Sequence, residues 1–184
     1  MRRVILSLAL SLDGYIARPD GSVDFLDDPK GHSMAPFFKT IDTAIMGRKT
    51  YEVGLRLSGG KFNTYGLATY IMTSTLPAGE RDGIIFTGES PKSLLASLRK
   101  RKGKHIWHMG GGELTRAFLQ EDLIDEIHLG VFLKLLGEGI PVFPAGFPER
   151  HFRLLEHKAY GPGFLSLKFT RSRAKSAPKL KSKH

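Results

Sequence analysis

The run His108-Met109-Gly110-Gly111-Gly112-Glu113-Leu114 constrains this chain more than any other. An apolar stretch precedes it and an amphipathic one follows, so the glycines fall between a buried strand and a helix. Without Cβ atoms such a turn adopts positive φ and lets backbone approach a ligand closely. The free N–H groups and the dipole of the following helix then favour an anion. Glycines alone equally suit a tight strand-to-helix turn that binds nothing. A phosphate cradle therefore needs support from a second motif.

Ile45-Met46-Gly47-Arg48-Lys49-Thr50-Tyr51-Glu52 supplies it. A strand ends at a glycine, and two cations open a helix. Cations at a helix N-terminus oppose the dipole unless an anion lies between them. Arg48 and Lys49 are read as anion ligands, with Thr50 adding a hydroxyl and a backbone N–H. Thr73, Ser74 and Thr75 follow another strand and offer hydroxyls at the same sheet edge. With Gly110, Gly111 and Gly112, this makes two phosphate positions on one ligand. A pyrophosphate plus a ribose phosphate describes NADP better than a mononucleotide. Neither Gly-x-Gly-x-x-Gly at the first strand–helix turn nor a Gly-Lys-Ser/Thr P-loop occurs, which disfavours both of those folds.

At 184 residues the chain suits one domain with a substantial core. The absence of cysteine excludes disulfides, thiolate catalysis and Cys-based metal sites. It also suits a reducing, cytoplasmic setting. Residues 1–10 look superficially like a signal peptide, but serines interrupt the apolar part and it runs into Asp13-Gly14. They are read as a buried first strand, with no membrane association expected. The formal charge of +10 is concentrated at one end. Without Arg171, Arg173, Lys175, Lys179, Lys181 and Lys183, 22 basic residues stand against 18 acidic. Residues 171–184 are expected to be a disordered solubilising tail, with no nucleic-acid partner, after a single domain at 1–170.

Between these limits strands and helices alternate. Strands are expected at 4–10, 43–46, 69–73, 83–86, 105–109 and 126–132. Helices are expected at 33–41, with Ser33 as N-cap, at 50–57, after Ser90-Pro91, and after the glycine run. Residues 152–160 and 164–170 read as a terminal hairpin turning at Gly161-Pro162-Gly163. The fold class is α/β: a mostly parallel central sheet flanked by helices, with a C-terminal antiparallel hairpin. Ligands on such sheets bind at the C-terminal strand ends.

Four segments in order carry a resemblance. They are Ser11-Leu12-Asp13-Gly14-Tyr15-Ile16-Ala17, Met46 to Glu52, Gly110 to Leu114, and Leu135-Leu136-Gly137-Glu138-Gly139-Ile140-Pro141-Val142-Phe143. From residue 1 to about 170 the chain resembles the dihydrofolate-reductase-like family. It is most similar to the reductase domain of the bifunctional riboflavin-biosynthesis deaminase/reductase. The resemblance implies NADPH as cofactor and a homodimer. It implies that Gly47, Arg48, Lys49, Thr50, Thr73, Ser74 and Thr75 hold the adenosine side. Gly110, Gly111, Gly112, Glu113 and Leu114 would hold the pyrophosphate, and Ala9, Leu10, Gly14 and Ile16 would flank the nicotinamide.

The substrate side departs from true dihydrofolate reductase. The spacing that should reach a carboxylate in the first helix reaches Gly31. Asp13 and Asp27 are the remaining catalytic candidates, and each also suits a plain turn residue. His105, His108 and His128 lie in strands without metal spacing, and no metal is expected. Hydride transfer needs alignment and water exclusion more than a nucleophile. The expectation is an NADPH-dependent reductase of a small heterocyclic or sugar-linked substrate. Dihydrofolate reduction, or noncatalytic nucleotide or nucleic-acid binding, are the alternatives.

Overall fold

The computed structural model describes residues 1–172; the remainder of the expected tail lies outside the described residues. The elements run β1 (Val4–Ser11), β2 (Tyr15–Ala17), α1 (Ala35–Phe38), β3 (Ile41–Gly47), α2 (Arg48–Leu57), β4 (Ala68–Met72), β5 (Gly79–Arg81) and β6 (Ile84–Thr87). There follow α3 (Pro91–Lys100), β7 (His105–His108), α4 (Gly112–Gln120), β8 (Glu126–Phe132), β9 (Ile140–Pro141), β10 (Phe152–Tyr160) and β11 (Phe164–Arg171). Nine strands form one sheet in the order β10-β11-β8-β1-β7-β3-β4-β6-β5, and β2 pairs with β9 apart from it. Pairings among β8, β1, β7, β3, β4 and β6 are parallel. The hairpin β10–β11 adds antiparallel to β8, as its alternating Leu165, Leu167 and Phe169 predict.

The parallel strands are apolar runs because both faces are covered. On one face α3 and α4 press Leu94, Leu95, Leu98, Phe118 and Leu119 against Val4, Leu6, Ile45 and Ile106. On the other, α1 and α2 cover Trp107, Ala44, Met46 and Ile71 through Phe37, Phe38 and Tyr51. The α3 start follows its sequence signal: Ser90 Oγ accepts the Ser93 amide at 3.2 Å, with Pro91 in the first turn.

The helix expected over 33–41 shrinks to Ala35–Phe38, and its N-cap is Met34 rather than Ser33. Ser33 Oγ instead accepts the Ala35 amide at 3.2 Å, one residue short of the capping position. Ile41 is claimed by β3, where it pairs with His105, and the helix stops before it. Helix α2 starts at Arg48, two residues earlier than expected, directly at the end of β3. Helix α3 ends at Lys100, with Arg101 as its C-cap. Arg171 is the last residue of β11, one position past the expected strand end.

Candidate functional site

The two glycine motifs occupy equivalent positions. β3 ends at Gly47 and runs directly into α2; β7 ends at His108 and reaches α4 through Met109, Gly110 and Gly111. Gly110 and Gly111 take φ of +93° and +86°, a region that penalises any side chain. β3 and β7 pair in parallel. The N-termini of α2 and α4 therefore open side by side at the C-terminal edge of the sheet.

Between them lies a cleft of ≈ 700 Å³. One part of it is lined by Gly47, Arg48, Lys49, Thr50, Thr73, Ser74, Thr75, Gly111, Gly112, Glu113 and Leu114. Its inner walls are apolar: Leu8 and Ala9 of β1, Ile16 and Ala17 of β2, Val53, Met72, Met109, and Ile140 with Pro141 of β9. Arg48 and Lys49 are the cations among the described lining residues of this mostly apolar cleft. Thr73 Oγ1 accepts the amides of Thr75 and Leu76 at 3.2 and 3.3 Å, which fixes the hydroxyl turn beyond β4.

The structure brings most of the sequence-predicted residues to this cleft but not all. Leu10 turns into the core and is 6% exposed, and Gly14 and Gly110 do not line the cavity. A Cβ on Gly110 would come within 2.8 Å of Leu8 Cδ2, so its role is close packing beneath the cleft. Arg48 lines the cleft while pairing with Glu52 one turn along α2. Lys49 is exposed and has no acidic partner among the described residues.

The candidate acids stand elsewhere. Asp27 pairs with Lys134 Nζ at 2.6 Å and is outside the lining. Asp13 is also outside it: its carboxylate accepts from Ser11 Oγ at 2.6 Å and from the amides of Leu136 and Gly137 at 3.0 and 2.8 Å. The Ser11 hydroxyl foremost, with these amides, holds its carboxyl below the usual carboxylate range. Glu113 is the lone acid among the described lining residues, and it turns towards Arg116. His108 is fully buried behind the cradle, stacked on Phe118 with ring centres 4.4 Å apart, and its Nε2 meets Thr115 Oγ1 at 3.1 Å.

One wall escaped sequence reasoning. Ile140, Pro141 and Pro144 reach the cleft because β9 pairs with β2, a contact between segments about 125 residues apart. The segment Leu135–Phe143 carries two of them in the sequence, and its Gly139 marks the contact: a Cβ there would stand 2.4 Å from the Ala17 carbonyl oxygen.

A mostly parallel sheet carrying glycine-led helix starts at its C-terminal edge, with an antiparallel hairpin added beside β8, defines an α/β protein of the dihydrofolate-reductase-like fold. Within that class the chain belongs to the family described as the RibD C-terminal domain, which matches residues 2–166. It is 36% identical over 163 residues to the uncharacterized protein YwjB of Bacillus subtilis (strain 168), covering 87% of this chain and 93% of that protein. It is 26% identical over 176 residues to YyaP of the same organism, covering 90% and 93%. Among solved structures it superimposes with a TM-score of 0.81 and 24% identity on a Shewanella sp. PV-4 protein described as a candidate riboflavin biosynthesis protein, covering 93% of this chain and 99% of that one. A deaminase/5-amino-6-(5-phosphoribosylamino)uracil reductase from Thermotoga maritima gives 0.71 and 17%, covering 93% and 57%. These likenesses show the fold. No helix among the described residues is long and apolar enough to cross a membrane.

Proposed function

We propose that this protein is an NADPH-dependent reductase that passes hydride to a small heterocyclic or sugar-linked substrate. The observation that carries the reading is the pair of helix N-termini, α2 and α4, opening onto one cleft with Arg48 and Lys49 at its rim. The turn suits a diphosphate: a Cβ on Gly111 would stand 2.9 Å from Thr50 Oγ1, so the glycine keeps the two helix starts close, and a helix N-terminus offers free N–H groups to an anion. Bound there, NADPH would supply the hydride. Gly111 to Leu114 would hold the diphosphate. Arg48, Lys49 and the Thr73–Thr75 turn would hold the 2′-phosphate, and Ala9 with Ile16 would position the nicotinamide against an apolar wall.

The same geometry weighs against dihydrofolate reduction. Protonating a pterin needs a positioned acid, and Asp27 is paired to Lys134 outside the cleft. A cytoplasmic homodimer fits the edge strand β10, which leaves Leu154 and Leu155 about half exposed (53% and 49%). Light scattering reads the dimer directly; a single 20.4 kDa species would count against it. The deciding experiment is NADPH and NADH titration by fluorescence, followed by NADPH oxidation across a panel that includes the phosphoribosylamino-uracil named for the Thermotoga relative and dihydrofolate. Equal affinity for the two cofactors, or none for either, would sink the reading.

A further inference from the structure

We propose that Asp13 is a positioning residue: a clasp that joins the loop after β1 to the loop after β8 and thereby builds the wall of the cleft formed by β2 and β9. The inference deepens the reductase reading, which it uses for the identity of the ligand, but the clasp itself stands on geometry.

Each carboxylate oxygen has a separate task. Oδ1 accepts from Ser11 Oγ at 2.6 Å, within its own loop. Oδ2 accepts the successive amides of Leu136 and Gly137, at 3.0 and 2.8 Å, across to the other loop. The chain at 136–137 therefore turns around this oxygen as it would around a bound anion. Ser11 is wholly buried, and its Oγ also accepts the Tyr15 amide at 3.0 Å, so the carboxylate is anchored to the sheet end and to the start of β2. Backbone bonds follow on both sides: Leu12 donates to the Lys134 carbonyl at 2.9 Å and Val142 donates to the Gly14 carbonyl at 3.0 Å.

The consequence reaches the cleft. β2 and β9 pair Tyr15 with Pro141 and Ala17 with Ile140, and Ile16, Ala17, Ile140 and Pro141 all line the cavity. The Pro141 carbonyl lies 2.5 Å from the place a Cβ on Gly112 would take, so this wall leans directly on the first residue of α4. Every hydrogen bond at the Asp13 carboxylate is an accepted one, and a proton on Oδ2 would meet the Leu136 and Gly137 amides donor against donor. A group in that position holds loops; it does not hand a proton to a substrate.

The test compares Asp13→Ala and Asp13→Asn by amide hydrogen exchange and by NADPH titration. An asparagine oxygen still accepts the Leu136 and Gly137 amides while its NH2 faces Ser11 Oγ. The clasp predicts that D13A speeds exchange at Leu136, Gly137 and Val142, on a loop distant in sequence, and weakens NADPH binding by about tenfold, an ordinary coupling between two separate sites. D13N keeps most of the protection. Unchanged exchange at 136–137 in D13A would overturn the proposal, as would D13A and D13N sharing wild-type NADPH affinity while both lose turnover, the signature of a proton donor. Should D13A fail to fold, D13N decides alone: lost protection at 136–137 overturns the clasp. Exchange needs no cofactor, so a wild-type protein that binds no NADPH would end the reductase reading and leave the clasp still on trial.

Discussion

Gly111 and Thr50 hold the two helix starts of the cleft against each other: a Cβ on Gly111 would come within 2.9 Å of Thr50 Oγ1. The glycine thus answers two demands at once. Its φ of +86° suits no side chain, and its bare Cα lets the α2 hydroxyl approach the α4 turn.

Gly111→Val should therefore abolish NADPH binding while leaving a folded protein. A branched side chain forces Thr50 aside and fills the space of the diphosphate. Strain at this φ costs roughly 1–3 kcal/mol, which lowers Tm without unfolding a domain of this size. Circular dichroism and fluorescence titration check both halves. A folded G111V that binds NADPH normally would make the turn structural only.

Arg48→Ala should narrow the preference for NADPH over NADH. A charge-assisted bond to phosphate is worth about 1–3 kcal/mol, or roughly 5- to 150-fold in the affinity ratio. Glu52 competes for the same guanidinium, so Glu52→Gln should widen the preference. Fluorescence-measured affinities for both cofactors read the two variants. An unaltered ratio in R48A would move the 2′-phosphate to Lys49.

The cradle and the Gly47 motif were legible because glycine and charge leave a local signature at a strand end. The longer strands were legible for a similar reason: β1 opens with Val4, Ile5 and Leu6, apolar and buried on both faces of a covered sheet. Tyr15–Ala17 and Ile140–Pro141 were not, because two- and three-residue strands exist only through each other. The apolar spacing over 33–41 overstates the helix because it serves two structures: Phe37 packs on Trp107 from α1, whereas Ile41 belongs to β3. Arg48 and Lys49 concealed the true start of α2, since cations are poor first-turn residues. Asp13 could be found as an important acid but not as a clasp, because its partners Leu136 and Gly137 meet it only in the folded chain.

At the opposite edge of the sheet a buried network awaits a stability test. Arg2 is 7% exposed and donates to the Lys104 carbonyl at 2.8 Å, the Leu98 carbonyl at 3.2 Å, Thr43 Oγ1 at 2.6 Å and Asp42. Removing one partner of a buried pair costs about 3–5 kcal/mol. Asp42 retains 36% exposure, which places Arg2→Ala at the lower end. Gly103→Ala attacks the same network sterically, since its Cβ would stand 2.5 Å from Asp42 Oδ2. It should lose about 1–3 kcal/mol. Urea denaturation checks both, and wild-type stability in either variant would remove the network from the account of the fold.

His108 should give the protein an acid-sensitive core. Burial pushes its pKa from 6.5 down to about 4, and the Ile45 backbone offsets only part of that. Between pH 6.5 and about 4 the unfolded chain takes up a proton at this residue that the folded protein refuses. Stability therefore falls with pH throughout that window and levels off below it. The total, at 1.36 kcal/mol per unit, is about 3 kcal/mol. His108→Gln keeps a partner for Thr115 Oγ1 but does not titrate. Its unfolding free energy should be lower than wild type at pH 7, where the Phe118 stacking is lost, and should flatten across pH 6.5 to 4. Urea denaturation at intervals of half a pH unit measures the slope. A wild-type slope that persists unchanged in H108Q would assign the acid sensitivity to the carboxylates instead.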